Sequence, residues 1–158
     1  MARWLRLLAF SLVFVVAACA RGQASGTFDR TLNVGAPLEL DVQTGAGSID
    51  VRAGAEGKVE IHGRIRVGGS NRAAAQEIVD KLEAMPPIEL DGNRLRIGRL
   101  DEQFRKNVAI SYEIVVPAAT QLRSRTGSGS QTVTGLAGPV HLESGKVVVF
   151  SAVAQVAK

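Results

Sequence analysis

Thr44-Gly45-Ala46-Gly47-Ser48-Ile49-Asp50-Val51 and Thr126-Gly127-Ser128-Gly129-Ser130-Gln131-Thr132-Val133 begin alike, and each carries a valine at the same distance from its turn. Both read as a glycine-rich turn feeding a short alternating run, the pattern of a chain reversing between two strands. A third stretch, Leu142-Glu143-Ser144-Gly145, aligns with Thr126-Gly127-Ser128-Gly129 at an offset of 16, which superposes Val133 on Val149 and Val140 on Val156. Turn, short strand, turn, short strand is the unit of a β-solenoid, in which each coil buries its inner face on the next. The repeat therefore predicts an all-β protein of right-handed β-solenoid, β-helix-like coils. A β-sandwich with Gly-Ser hairpins is the alternative.

Period-two alternation extends the β reading in both directions. Leu38, Leu40 and Val42 alternate with Glu39, Asp41 and Gln43. Across residues 58–67, Val59, Ile61, Ile65 and Val67 share one face, while Lys58, Glu60, His62, Arg64 and Arg66 share the other. Val108, Ile110, Tyr112, Ile114 and Val116 form a further strand, ended by Pro117. Such alternation marks strands with one buried face. The period changes only once, where Ala75, Ile78, Val79, Leu82 and Met85 recur at helical spacing, with Ser70 or Asn71 placed to cap. One inserted α-helix over about residues 71–85 follows, stopped by Pro86-Pro87 because proline has no amide donor. Asp91-Gly92-Asn93, between Ile88-Glu89-Leu90 and Arg94-Leu95-Arg96-Ile97, is a hairpin turn.

The N-terminus carries a different signal. Arg3 and Arg6 precede the apolar run of residues 7–18, which closes on Val16-Ala17-Ala18-Cys19. A basic start, a short apolar core and small residues before a cleavage point are an export signal, too short to span a bilayer at ~20 residues. Cys19 is the only cysteine of the chain, so it has no disulfide partner within it. The last four residues of the run resemble the lipobox of bacterial lipoproteins, cut before a cysteine that carries diacylglycerol. The resemblance implies a cleaved signal peptide over residues 1–18 and lipidation at Cys19. By analogy with two-membrane bacteria, Ala20 in place of aspartate implies an outer-membrane destination, facing periplasm or surface. Residues 19–27 then form a lipidated tether and residues 28–158 one β domain.

Without Arg3 and Arg6, 17 basic residues stand against 15 acidic ones. That balance gives no basis for nucleic-acid binding. Aromatic residues after the signal are Phe28, Phe104, Tyr112 and Phe150 alone, so the core must be built from aliphatics.

Gly-Ser-Ile-x-Val at residues 47–51, the alanine-rich helix ending in Pro-Pro-Ile-Glu at 86–89, Ser-Tyr-Glu-Ile-x-Val-Pro at 111–117 and the repeats of 126–138 together resemble a bacterial domain-of-unknown-function family labelled "putative adhesin". The resemblance covers about residues 32–147 and implies a β-helical surface or envelope protein without established chemistry. Residues 146–158, Lys-Val-Val-Val-Phe-Ser-Ala-Val-Ala-Gln-Val-Ala-Lys, depart from its pattern of further Gly-Ser-Gly coils. An apolar last coil leaves an open edge, so the expectation is a truncated chain or one that pairs with a partner strand there.

Catalytic patterns are missing from the sequence: no Gly-x-Ser-x-Gly elbow, no Ser-x-x-Lys, and neither Gly45-x-Gly47 nor Gly127-x-Gly129 continues to a third glycine three residues on. His62 and His141 have no His or Cys neighbour at ligand spacing, and they read as solvated strand residues, with no metal or cofactor expected. Glu39, Asp41 and Asp50 would matter only if adjacent coils brought them together, as in β-helical polysaccharide-cleaving enzymes. What remains is charge: Arg64 and Arg66, Arg94 and Arg96, and Arg123 and Arg125 each stand at i, i+2 on predicted strands, so each pair points one way. If those strands are neighbours, an arginine stripe results, suited to anionic glycan or lipid headgroups. The expectation is a non-catalytic surface binding, adhesion or structural module, held to the membrane through Cys19, with an envelope glycan or protein partner; an envelope sensor that uses the arginine stripe is the alternative.

Overall fold

The computed structural model describes residues 22–144 and 148–151. The signal segment, Cys19, and residues 145–147 and 152–158 lie outside the described residues, as does the Val140–Val156 superposition.

The described chain forms two mixed β-sheets with one hydrophobic core. In chain order, β1 is Ala24–Asn33, β2 Glu39–Ala46, β3 Ile49–Gly54 and β4 Lys58–Val67. Helix α1 (Arg72–Ala84) comes next, then β5 (Ile88–Asp91), β6 (Arg94–Ile97) and the single turn α2 (Glu102–Arg105). The rest is β7 (Val108–Pro117), β8 (Gln121–Ser128), β9 (Gln131–Thr134), β10 (Val140–Ser144) and β11 (Val148–Ser151). One sheet, A, runs β1-β4-β7-β3-β9-β11; the other, B, runs β10-β8-β2-β6-β5. Neighbours β1, β4 and β7 are antiparallel, as is the hairpin β5-β6, and the other pairs are parallel.

Parallel pairing follows from the repeat. Each Gly-Ser turn carries the chain from sheet B to sheet A, so β2 lies beside β8 in one sheet and β3 beside β9 in the other. Thr44 pairs with Thr126 and Val51 with Val133, as the two matching stretches predict. The turn corners also stack. Gly47 has φ +135° and Gly129 φ +153°. A Cβ on Gly129 would run into the carbonyl oxygen of Gly47, and one on Gly47 into that of Ile110. Backbone lies directly on backbone here, which only glycine permits.

The third unit is displaced from its expected register. Val140 pairs with Leu122 and Ser144 with Thr126, an offset of 18, while Phe150 rather than Val149 pairs with Val133. The loop before β10 is the cause: Ala137 N–H donates to Ala118 O at 2.8 Å, and Leu122 N–H to Pro139 O at 2.9 Å. That seating on the turn after β7 sets the register ahead of the glycine motif.

The core packs alternating side chains from both sheets: Leu40, Val42 and Leu95 from B, and Ile49, Val51, Ile61, Ile110 and Ile114 from A are all buried. Phe28 lies over Gly63, where a Cβ would strike its ring, and meets Tyr112 edge-on with centroids 6.4 Å apart.

Helix α1 starts at Asn71, whose side chain accepts from the Ala73 and Ala74 N–H groups, and it buries Ala75, Val79 and Leu82. Met85 is the C-cap and is 80% exposed, so the apolar face stops one turn before the periodicity suggested. The helix packs on β1 and β4. Glu83 accepts the Thr27 N–H at 2.7 Å, and Arg30 donates to the carbonyls of Glu83 and Ala84. These contacts block a ten-residue edge strand that would otherwise template pairing with another chain. Strand β1 begins at Ala24, so the last part of the expected tether belongs to the sheet.

Candidate functional site

The outer face of sheet B is a charged surface arranged in rows by parallel register. Glu39 stands opposite Arg94 on β6 and Gln121 on β8. Asp41 stands opposite Arg96 and Arg123, with His141 beyond Arg123 on β10 and Glu89 beyond Arg96 on β5. Gln43 stands opposite Arg125, which in turn is opposite Glu143. Odd-numbered positions of β2 and β8 face outward because their even-numbered partners, Leu40, Val42, Leu122 and Ser124, fill the core. Arg94, Arg96, Arg99, Arg123 and His141 surround a groove of about 730 Å³ whose acidic members are Glu39 and Asp41.

These charges differ in how far they are satisfied. Arg94 is closed onto Glu39, with Nη2 at 2.7 Å and Nε at 2.8 Å from Oε2, and the hydrogen bond to Glu39 raises its pKa further. Arg125 meets Glu143 at 2.9 Å. The Glu143 carboxyl is held below the ordinary carboxylate value, first by its hydrogen bond to His141 at 3.1 Å and then by Arg125. Arg96 has only a loose contact with Glu89 at 3.9 Å. Arg99 and Arg123 are exposed and have no hydrogen-bond or ion-pair partner among the described residues. Asp41 Oδ1 is covered and has no hydrogen-bond partner among the described residues.

The expected stripe is therefore divided. Arg94, Arg96, Arg123 and Arg125 share the face of sheet B, but β6 and β8 are separated by β2, which inserts a column of Glu39 and Asp41 between them. Arg64 and Arg66 are on β4 in sheet A, where Arg64 bonds Glu113 at 2.7 Å and Glu113 also meets Arg52 at 3.7 Å. Their i, i+2 spacing gave the direction of each pair but not which sheet held it. Arg99 joins the groove from just beyond Gly98 and carries no strand periodicity by which to find it.

Glu39 and Asp41 do not converge with Asp50, which lies on β3 in the other sheet and contacts Arg52 at 3.3 Å. Among the described residues no three His, Cys, Asp or Glu side chains stand close enough to hold a metal ion. A second hollow of about 470 Å³ lies where β2, β8 and β10 end. Its threonines serve the backbone: Thr44 Oγ1 donates to Ile110 O at 2.8 Å, and Thr126 Oγ1 to Gly47 O at 3.3 Å. Among the described residues no helix is long and apolar enough to cross a membrane.

No protein-family model matches the chain, and no curated protein matches it. Solved structures with a similar outline include a putative cell adhesion protein from Clostridium sporogenes, 13% identical over 75% of this chain and 59% of that one, with a TM-score of 0.44. A putative adhesin from Bacteroides fragilis is 12% identical over 79% of this chain and 61% of that one, with a TM-score of 0.38. The chain thus spans about three-fifths of each of these proteins.

Proposed function

We propose that the chain is a non-catalytic envelope lipoprotein, anchored through Cys19 at the outer membrane, whose β domain holds an anionic glycan in the arginine groove of sheet B. The paired units β2/β3, β8/β9 and β10/β11 serve as three coils of a short solenoid, and the groove on the outer face of sheet B, where β6 lies beside β2, is the binding surface. One observation carries the reading: Arg99 and Arg123 present guanidiniums without a partner among the described residues, in a groove that also contains Arg94, Arg96 and His141. Guanidinium forks match carboxylate and sulfate geometry, and an array of them steers polyanions toward itself. Acylation of Cys19 would hold that array beside envelope polymers, since each buried methylene adds ~0.8 kcal/mol of anchoring.

The test uses the full chain in detergent on immobilised hyaluronan. Exposed charge pairs contribute up to about 1 kcal/mol each, so Arg99→Ala with Arg123→Ala should weaken retention roughly tenfold and flatten its salt dependence. Unchanged retention of that double variant refutes the groove. Mass spectrometry of the mature N-terminus tests the anchor: the expected species is a diacylated or triacylated Cys19, and a chain that starts elsewhere removes it.

A further inference from the structure

The middle row of the groove alternates in sign: Arg96 on β6, Asp41 on β2 and Arg123 on β8 stand in direct parallel register. Adjacent strands are ~4.8 Å apart, so the two arginine backbones are about 10 Å apart with a carboxylate halfway. Neither guanidinium is within ion-pair distance of Asp41 among the described residues, and Asp41 Oδ1 has no hydrogen-bond donor. Asp41 therefore sits in the middle of the groove without an ion pair among the described residues, felt by Arg94 only at longer range. The row above differs, because there Glu39 is already closed onto Arg94.

From this register we infer that the groove selects its ligand by charge spacing: it takes an acidic glycan with one charge per disaccharide, laid across β6, β2 and β8. The inference rests on the groove being the binding site. Two arginines about two strand spacings apart match the length of an extended disaccharide unit. A polymer charged at every sugar would place its intermediate carboxylate over Asp41, about one strand spacing from each favourable contact, where like charges repel. Alternating polymers put a neutral, hydroxyl-bearing sugar there instead. Discrimination then comes from the repulsive element as much as from the arginines. Lipid headgroups, which carry independent and mobile charges, would show no such preference.

The experiment compares a hyaluronan octasaccharide, with one carboxylate per disaccharide, and an oligogalacturonate of equal length, with one per sugar, by calorimetry on the full chain in detergent. The wild-type chain should bind hyaluronan more tightly, although that probe carries half the charge. Asp41→Asn, an isosteric change on an outward-facing position, should strengthen oligogalacturonate binding about tenfold and hyaluronan binding by clearly less, so that the preference between the two probes narrows or reverses. Arg123→Ala should weaken both. If affinity instead follows total charge and Asp41→Asn moves neither probe while Arg123→Ala still weakens both, the spacing rule is overturned and the groove stands. If Arg123→Ala changes neither, or neither probe binds, the groove itself fails and the spacing rule with it.

Discussion

Replacing Gly129 with alanine tests the stacked corners on which the parallel sheets depend. Two obstacles act together: the backbone is at φ +153°, and the new methyl would meet the carbonyl oxygen of Gly47. A non-glycine residue in a sparsely populated conformation costs about 1–3 kcal/mol. Overpacking costs about 1–3 kcal/mol more, at the upper end when the obstacle is main chain rather than a side chain that can rotate. Loss of glycine's freedom in the unfolded chain returns about 0.4–1 kcal/mol. The net is about 3 kcal/mol, a large share of the 5–15 kcal/mol typical of a domain. For a chain of this size that lowers the melting temperature by roughly 10 °C. Gly92→Ala is the control: φ is +61° at the β5-β6 turn, but a Cβ there meets nothing within 4 Å. Only the conformational penalty applies, about 1 kcal/mol, or roughly 3 °C. Thermal unfolding followed by circular dichroism separates the two. A Gly129→Ala melting temperature no lower than that of Gly92→Ala would refute corner stacking.

Burial pushes the phenol of Tyr112 up beyond the ordinary tyrosine range, and its hydroxyl has no hydrogen-bond partner among the described residues. As the chain's only tyrosine it gives a clean signal: the near-ultraviolet tyrosinate band should stay silent through pH about 10 and rise only with unfolding. Because the folded-state pKa is raised, the associated stability is complete below the unfolded value and is lost as pH climbs above it. Ordinary titration in the folded protein would contradict the burial. Tyr112→Phe should be neutral or stabilising by up to about 1 kcal/mol in urea unfolding, since it removes an unsatisfied oxygen and no contact area. Glu143 behaves oppositely: its lowered pKa gives a contribution present above the ordinary carboxylate range and lost as pH falls through the folded value. Carboxyl NMR titration should place it below the ordinary glutamate value, and His141→Ala should return it toward that value. No movement in that variant would show that the histidine is not the main cause.

Individual residues show where the sequence was sufficient and where it was not. Gly47 and Gly129 revealed that β2 and β3 would lie beside β8 and β9, because a glycine forced by backbone contact leaves the same mark wherever the contact recurs. Strand β10 slipped by two residues from the repeat's register because its seating is set by Ala137 on Ala118, a backbone contact with no side-chain signature. Strand β1 escaped notice for a physical reason as well. Its inward positions include Gly26, which makes room for Val79 and Glu83, and Arg30, which caps carbonyls of the helix, so the helix erases the expected apolar alternation. The groove was half legible. Arginine spacing told which side chains share a direction, but only the pairing of β6 and β8 with β2 revealed the carboxylates between them and the opposite placement of Arg64 and Arg66.

The chain order of the paired parallel strands has a consequence for how the protein comes together. Leu40 on β2 pairs with Leu122 on β8, so α1, the β5-β6 hairpin and the antiparallel strands β4 and β7 all intervene between the first coil and the second. In a sequential repeat array, a nucleus can form anywhere and spread to its neighbour. Here β2 and β3 pair with β6 and β7 on one side, but their pairing with β8 and β9 on the other closes a long loop, which imposes a large loop-closure entropy and a slow, all-or-none transition. The parallel sheets are consequently not modular: a cut anywhere between β3 and β8 would leave two pieces, neither of which contains the β2-β8 or the β3-β9 pair.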